Sequence, residues 1–293
     1  MTHIAAIANN KGGVGKTEVV CQTAAALARR GLKVLVVDMD PQANATRRLG
    51  VEWDPAEPIP TMAEVIKADQ EGAGEGAVVP CGWVGPSGTP TPEAELIDVL
   101  PSRFDLINRE TEAGVVGAVR RLTKALSGWT DRYDVVLIDT RPDLGHLVQM
   151  SLAAAHAVLI PTDPNYDSIE AAIRVRDFVD RHAIDITNPG LVIGGVVVTR
   201  RKNTSEQDFQ IDGILEQFDS LVWKLGGLVK FPDGSELLVP NYIPEWSRFA
   251  EADASAASLA DWSDRNGRKT VALYDSVARL YQQKFLTKAG AAS

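Results

Sequence analysis

Short apolar runs alternate with amphipathic stretches along the whole chain. Ile4–Ala8, Val34–Asp38, Val135–Asp139, Ala157–Pro161 and Leu191–Thr199 are nearly uninterrupted apolar runs, which predicts strands buried on both faces. Leu96–Leu100 and Asp105–Asn108 are shorter strand candidates. Between these runs, apolar residues recur at helical spacing over Lys16–Arg29, Thr61–Lys67, Ala113–Leu126, Leu144–Ala155, Ser168–His182, Glu206–Phe218 and Thr270–Phe285. The alternation predicts an α/β fold: a doubly wound, mostly parallel sheet with helices on both faces and right-handed crossovers. Two stretches break the rhythm. Residues 68–95 are dense in Gly and Pro and predict a surface excursion, and residues 228–239 place Pro232–Asp233–Gly234 between two extended runs, as a hairpin does. Residues 1–293 are expected to form one domain carrying both features.

Composition narrows the class. Hydrophobic residues make up 45% and charged residues 24% of 293, which excludes wholesale disorder. The formal net charge is -9, so any affinity for nucleic acid or anionic lipid must come from a local basic patch. Cys21 and Cys81 are the only cysteines and form no C-x-x-C pair, and the four histidines show no metal spacing. No apolar run approaches the roughly 18 residues of a membrane helix. The opening MTHIAAIANN lacks a signal peptide's charged n-region. A cytoplasmic protein is expected.

The strongest chemical signal is Lys11–Gly12–Gly13–Val14–Gly15–Lys16–Thr17, placed directly after a predicted strand and opening a predicted helix. That is the context of a phosphate-binding loop. Glycines let backbone N–H groups curl around phosphate oxygens, and the helix N-terminus adds partial positive charge. Lys16 reaches the β- and γ-phosphates in such a loop, and the Thr17 hydroxyl holds Mg²⁺. Asp38 and Asp139 stand at the ends of predicted strands, where open α/β sheets bind ligands.

Asn10 occupies a position that is glycine in the plain motif, and a second lysine, Lys11, starts the loop. This form resembles the deviant Walker A motif of the ParA/MinD ATPases. Val36–Val37–Asp38–Met39–Asp40–Pro41–Gln42–Ala43–Asn44–Ala45–Thr46 is similar to the D-x-D-P-Q-x-N-x-T element of ParA proteins, and Tyr133–Asp139 to their Walker B strand. The resemblance spans most of residues 3–200. It implies an ATP hydrolase of weak intrinsic activity using ATP and Mg²⁺. Two monomers would sandwich two ATP molecules, with Lys11 crossing to the partner's nucleotide and Gly12 at the close dimer contact. Lys11, Lys16 and Asp40 would be catalytic, Asp40 positioning the attacking water. Lys11 to Glu18 (with Gly13, Val14 and Gly15) and Pro161 would line the nucleotide, and Thr17, Asp38 and Asp139 would serve the metal.

The same resemblance implies nonspecific DNA binding by the ATP-bound homodimer, a ParB-type partner that accelerates hydrolysis, a place on the nucleoid, and a role in plasmid or chromosome segregation. Arg200, Arg201, Lys202 and Arg248 are the candidate DNA contacts. A ParA-like switch positioning another cargo, or a MinD-like membrane-associated switch, is the alternative, although the apolar positions of Val271–Phe285 suit core packing better than lipid insertion. No membrane partner is expected. The first strand begins almost at Met1, so no N-terminal helix-turn-helix is expected. Three departures mark the chain. Glu18 stands where the family has Thr or Ser, beside the α-phosphate; Thr140–Arg141–Pro142–Asp143 replaces C-P-P-S; and Thr199–Arg200–Arg201–Lys202–Asn203 replaces D-x-R-T. Arg141 is left open between a nucleotide or dimer contact and a pairing with Asp143.

Overall fold

A computed structural model describes residues 1–287 except 86, 231–233, 235 and 263. In chain order the main elements are β1 (His3–Ile7), α1 (Lys16–Arg29), β2 (Val34–Asp38), α2 (Asn44–Arg48), α3 (Met62–Ala68), β3 (Val79–Pro80), β4 (Ile97–Leu100), α4 (Arg121–Leu126) and β5 (Val135–Asp139). Then follow α5 (His146–Ala154), β6 (Ala157–Thr162), α6 (Tyr166–His182), β7 (Val192–Val198), α7 (Ser205–Phe218), β8 (Gly227–Lys230), β9 (Glu236–Val239), α8 (Ser247–Ser255) and α9 (Arg265–Tyr281).

The main sheet has the order β3-β4-β2-β5-β1-β6-β7, and its pairs are parallel except for the antiparallel edge β3–β4. Its strands are apolar throughout because both faces are covered. Successive residues point to opposite sides: Leu35, Val37, Val136 and Ile138 join the core under α3 to α6, while Val34, Val36, Val135 and Leu137 join the core under α1 and α9. The C-terminal helix belongs to that second core, with Leu273, Tyr274, Val277 and Tyr281 fully buried against α1.

Several expectations change. Asp105–Asn108 is not a strand; Phe104–Glu112 winds as a 3-10 helix with Leu106 buried beneath it. Over Ala113–Leu126 only Arg121–Leu126 is α-helical, since Gly117 takes a left-handed φ of 79° and leaves Val115 and Val116 exposed. The 68–95 stretch is tied into the fold: Val79–Pro80 extends the sheet, and Trp83 is buried with its Nε1 donating to the Arg48 carbonyl at 2.7 Å. Strands β8 and β9 form the anticipated hairpin, whose turn residues Pro232 and Asp233 lie outside the described residues. No helix among the described residues is long and apolar enough to cross a membrane.

Candidate nucleotide site

The site lies at the carboxyl ends of β1, β2, β5 and β6. β1 delivers the chain into a loop where Gly13 (φ 82°) and Gly15 (φ 85°) are left-handed, conformations that side chains strain. An added Cβ at Gly13 would meet nothing within 4 Å, so the backbone conformation rather than crowding calls for glycine there. Two buried tethers hold the rim. Asn9 Nδ2 donates to the Pro161 carbonyl at 2.8 Å, and Thr199 Oγ1 donates to the Val14 carbonyl at 2.8 Å. Gly15 caps α1 without any side-chain hydrogen bond, leaving the first N–H groups to an anion.

Lys16 is buried and folds back over its own loop, donating to the carbonyls of Asn9 (3.2 Å) and Lys11 (2.9 Å). Burial holds its ammonium below the usual lysine range, with Asp139, Asp40 and Asp143 working against that fall. Lys11 points the other way. Its side chain is 32% exposed, and its Nζ reaches Asn165 Oδ1 at 3.3 Å and Asp167 at 3.8 Å, at the start of α6. The two lysines of one motif thus serve opposite sides of the loop.

The register explains the carboxylates. Asp38 and Asp139 are direct partners across β2 and β5. They differ in what they do. Asp38 accepts from Thr46 N (2.8 Å), Thr46 Oγ1 (2.7 Å) and Asp40 N (3.1 Å), so its oxygens are occupied in shaping the 38–46 loop. Asp38 thus shapes the loop as well as standing beside Asp139 at the strand ends. Asp139 is fully buried, and neither of its oxygens has a hydrogen-bond partner, although the nearby Thr17 hydroxyl and Lys16 favour its charged form. Burial raises both carboxyls above the usual range, and each also feels the other acidic residues of the cluster. Such an orphaned carboxylate beside a hydroxyl fits a cation. No group of three or more His, Cys, Asp or Glu able to hold a metal occurs among the described residues, and Mg²⁺ in phosphate sites is held by few protein ligands together with waters and phosphate oxygens. Asp40 is buried nearby and accepts from Gln42 N at 2.9 Å.

Other candidates shift. Pro161 is buried within β6 and its carbonyl accepts from Asn9 of the loop; the Val14 side chain is buried and its carbonyl accepts from Thr199. Glu18 turns inward, accepting from Tyr274 Oη at 2.8 Å, and burial pushes its carboxyl to about 7. Arg141 pairs with Asp143 (2.5 Å) and Glu110 (3.1 Å), which resolves the open alternative toward pairing. The basic cluster does not survive as a surface. Arg201 has a side chain only 4% exposed, bonded to Asp208, Gln207 and the Lys202 and Thr204 carbonyls. Arg248 is clasped by Glu251 (2.6 Å) and Asp264 (2.8 Å) over the Trp262 ring. Lys202 alone points outward, 61% exposed and 2.9 Å from Glu245. Sequence reasoning overlooked Asn9, Glu110 and Tyr274; Asn9 adjoins the motif, whereas the other two are marked by nothing local.

The fold and this loop define a P-loop nucleotide-binding protein. A family model described as AAA domain matches residues 2–193. The chain is 32% identical over 269 residues to an uncharacterized protein of Mycobacterium tuberculosis, covering 90% of this chain and 79% of that one. It is 32% identical over 229 residues to sporulation initiation inhibitor protein Soj of Bacillus subtilis, covering 76% and 83%. Among solved structures, apo McdA of Cyanothece superposes with a TM-score of 0.74 at 22% identity, covering 94% of this chain and 100% of that one. Cobyrinic acid a,c-diamide synthase of Mycobacterium smegmatis, with bound ADP and magnesium, gives 0.70 at 26% identity, covering 97% and 96%. The chain belongs to the ParA/MinD family of P-loop ATPases.

Proposed function

We propose that the protein is a ParA-type switch: it binds ATP with Mg²⁺, closes as a sandwich dimer, binds DNA nonspecifically in that state, and hydrolyses ATP slowly until a ParB-type partner accelerates it. One observation carries the reading. Lys16 folds back on its own loop, while Lys11 lies on the loop's outer side, a third of its side chain exposed and held among the described residues only by Asn165 and Asp167, contacts it could exchange for a second subunit's nucleotide. The curated relative Soj and a chromosome-partitioning ATPase of Thermus thermophilus favour segregation as the setting, on the nucleoid of the cytoplasm.

The chemistry follows from position. The uncapped first turn of α1 and the loop N–H groups bind the phosphates, and Lys16 neutralises their charge. Thr17 and Asp139 would hold Mg²⁺, which supplies charge stabilisation on the phosphate oxygens. Asp38 keeps the 38–46 loop in place through Thr46, and that loop carries Asp40, which orients the attacking water. Gly12 faces Pro142 at 3.9 Å from its notional Cβ, leaving room for close approach of a second chain. Since the Arg201 and Arg248 side chains are largely buried in their pairings, DNA affinity would fall to exposed cations such as Lys202, whose surface pairing with Glu245 phosphate can displace, and it should decline with salt.

Light scattering with ATP, ADP or no nucleotide, with and without duplex DNA, tests the proposal. Wild type should double in mass with ATP only, and Lys11→Ala should bind ATP yet stay monomeric. A normal ATP dimer in that variant would refute the cross-subunit role. The resemblance to cobyrinic acid a,c-diamide synthase supports a second reading, ATP-dependent amidation of a small carboxylic acid. ATP turnover that requires such an acid and an amine donor, and ignores DNA, would favour it.

A further inference from the structure

The three consecutive basic residues just past β7 separate in space. Arg201 turns into a cage of acceptors and Lys202 turns to solvent. Arg200 takes a third course. Its backbone is left-handed, with φ 51°, a conformation that costs a non-glycine residue roughly 1–2 kcal/mol and that the surrounding structure must enforce. The preceding residue, Thr199, is pinned to the P-loop by its bond to the Val14 carbonyl. The resulting turn lays the Arg200 side chain along the loop, with Nε 3.9 Å from the position a Cβ on Gly15 would take. That Nε is buried and has no hydrogen-bond partner.

On the same turn of α1 sits Glu18, buried and fixed by Tyr274. A carboxylate here opposes any phosphate held by the α1 N-terminus. The cations whose charge favours ionised Glu18 are Arg200 and Arg48, while Asp253 opposes it; Arg48 is already paired with Asp253 at 2.8 Å. Among the described residues no carboxylate lies within ion-pair distance of Arg200, although its charge also favours ionised Asp253 more weakly than Arg48 and Arg47 do, and its Nε has no hydrogen-bond partner.

We infer that Arg200 is a nucleotide-binding residue, the cation beside Gly15 that lets a carboxylate at position 18 coexist with a phosphate on the first turn of α1. This rests on the nucleotide reading above and moves Arg200 from the DNA surface to the ATP site. It also accounts for two departures together: an acidic residue directly after the motif and an arginine just past β7 offset each other.

Fluorescent ADP and ATP analogues, titrated with Mg²⁺ into wild type, Arg200→Gln, Glu18→Thr and the double variant, test it. Glutamine keeps the stem packed on the loop. A lost charge-assisted contact corresponds to roughly a 10- to 100-fold weaker affinity. Arg200→Gln should show that loss by the same factor for ADP and ATP, because the first turn of α1 meets phosphates common to both. Arg200→Lys should recover part of it. In the Glu18→Thr background the loss should shrink several-fold, a coupling that mere packing would not produce. At saturating ATP, Arg200→Gln should bind DNA with the wild-type salt slope. Undiminished nucleotide binding in Arg200→Gln beside a binding-competent wild type overturns this inference alone, as does a salt slope reduced by about one. Failure of wild type itself to bind nucleotide overturns the P-loop reading as well.

Discussion

Replacing Glu18 by glutamine isolates the cost of burying a charge on the first turn of the phosphate-binding helix. Glutamine preserves volume and an acceptor for Tyr274 Oη, so the perturbation is the charge. Burial pushes this carboxyl from the ordinary 4.5 to about 7. A carboxyl raised on folding favours the native state least when ionised: its contribution is full below pH 4.5 and is lost as pH climbs through about 7. At about 1.36 kcal/mol per unit, that gap corresponds to about 3 kcal/mol. Nucleotide-free Glu18→Gln should therefore be more stable than wild type by up to ~3 kcal/mol at pH 8, with the advantage falling to ~1 kcal/mol at pH 5. Urea unfolding of both proteins between pH 5 and 8.5, compared at matched m-values, reads this directly. A difference independent of pH would show that Glu18 does not titrate in the folded state and would refute the reasoning.

On the proposed reading, in which Asp40 orients water and holds no phosphate, Asp40→Ala should leave ATP-driven dimers intact in light scattering while phosphate release stops; residual turnover within about twofold of wild type would displace it from that role. Asp139→Asn should raise the stability of the nucleotide-free protein at neutral pH, since it removes a buried carboxylate without partners, yet weaken Mg²⁺-dependent nucleotide binding by about tenfold or more, as read by calorimetry with and without the metal. Gly195→Ala should destabilise by about 3 kcal/mol or fail to fold, because its Cβ would stand 1.9 Å from Nε1 of buried Trp223; a thermal melt within 1–2 °C of wild type would contradict the packing described.

Much of the site was legible because its parts are consecutive in the chain. A loop of glycines flanked by lysines, opening a helix after an apolar run, specifies its own geometry, and strand-end aspartates follow from where apolar runs stop. The basic candidates were misjudged for the opposite reason. Whether Arg201 is a solvated cation or a buried one depends on Asp208 and Gln207 across a turn, and Arg248 depends on Asp264, sixteen residues away. Asp105–Asn108 fits a strand as well as a helical turn because it holds only two apolar residues; it lies instead in the 3-10 helix Phe104–Glu112, with Leu106 buried.

The sequence by itself determined the alternation of the central strands with their main helices, the burial of the sheet on both faces, and the phosphate loop, since these rest on periodicity and local backbone preference; short elements such as α2, β3 and α8 carry no such signal. Only the tertiary structure decided which charges are free. Asp38 is consumed by Thr46 while its register partner Asp139 is left bare, and Glu18 meets Tyr274 from a helix 256 residues onward. Electrostatic roles depend on distance and burial, and both are set by contacts between residues that no local pattern brings together.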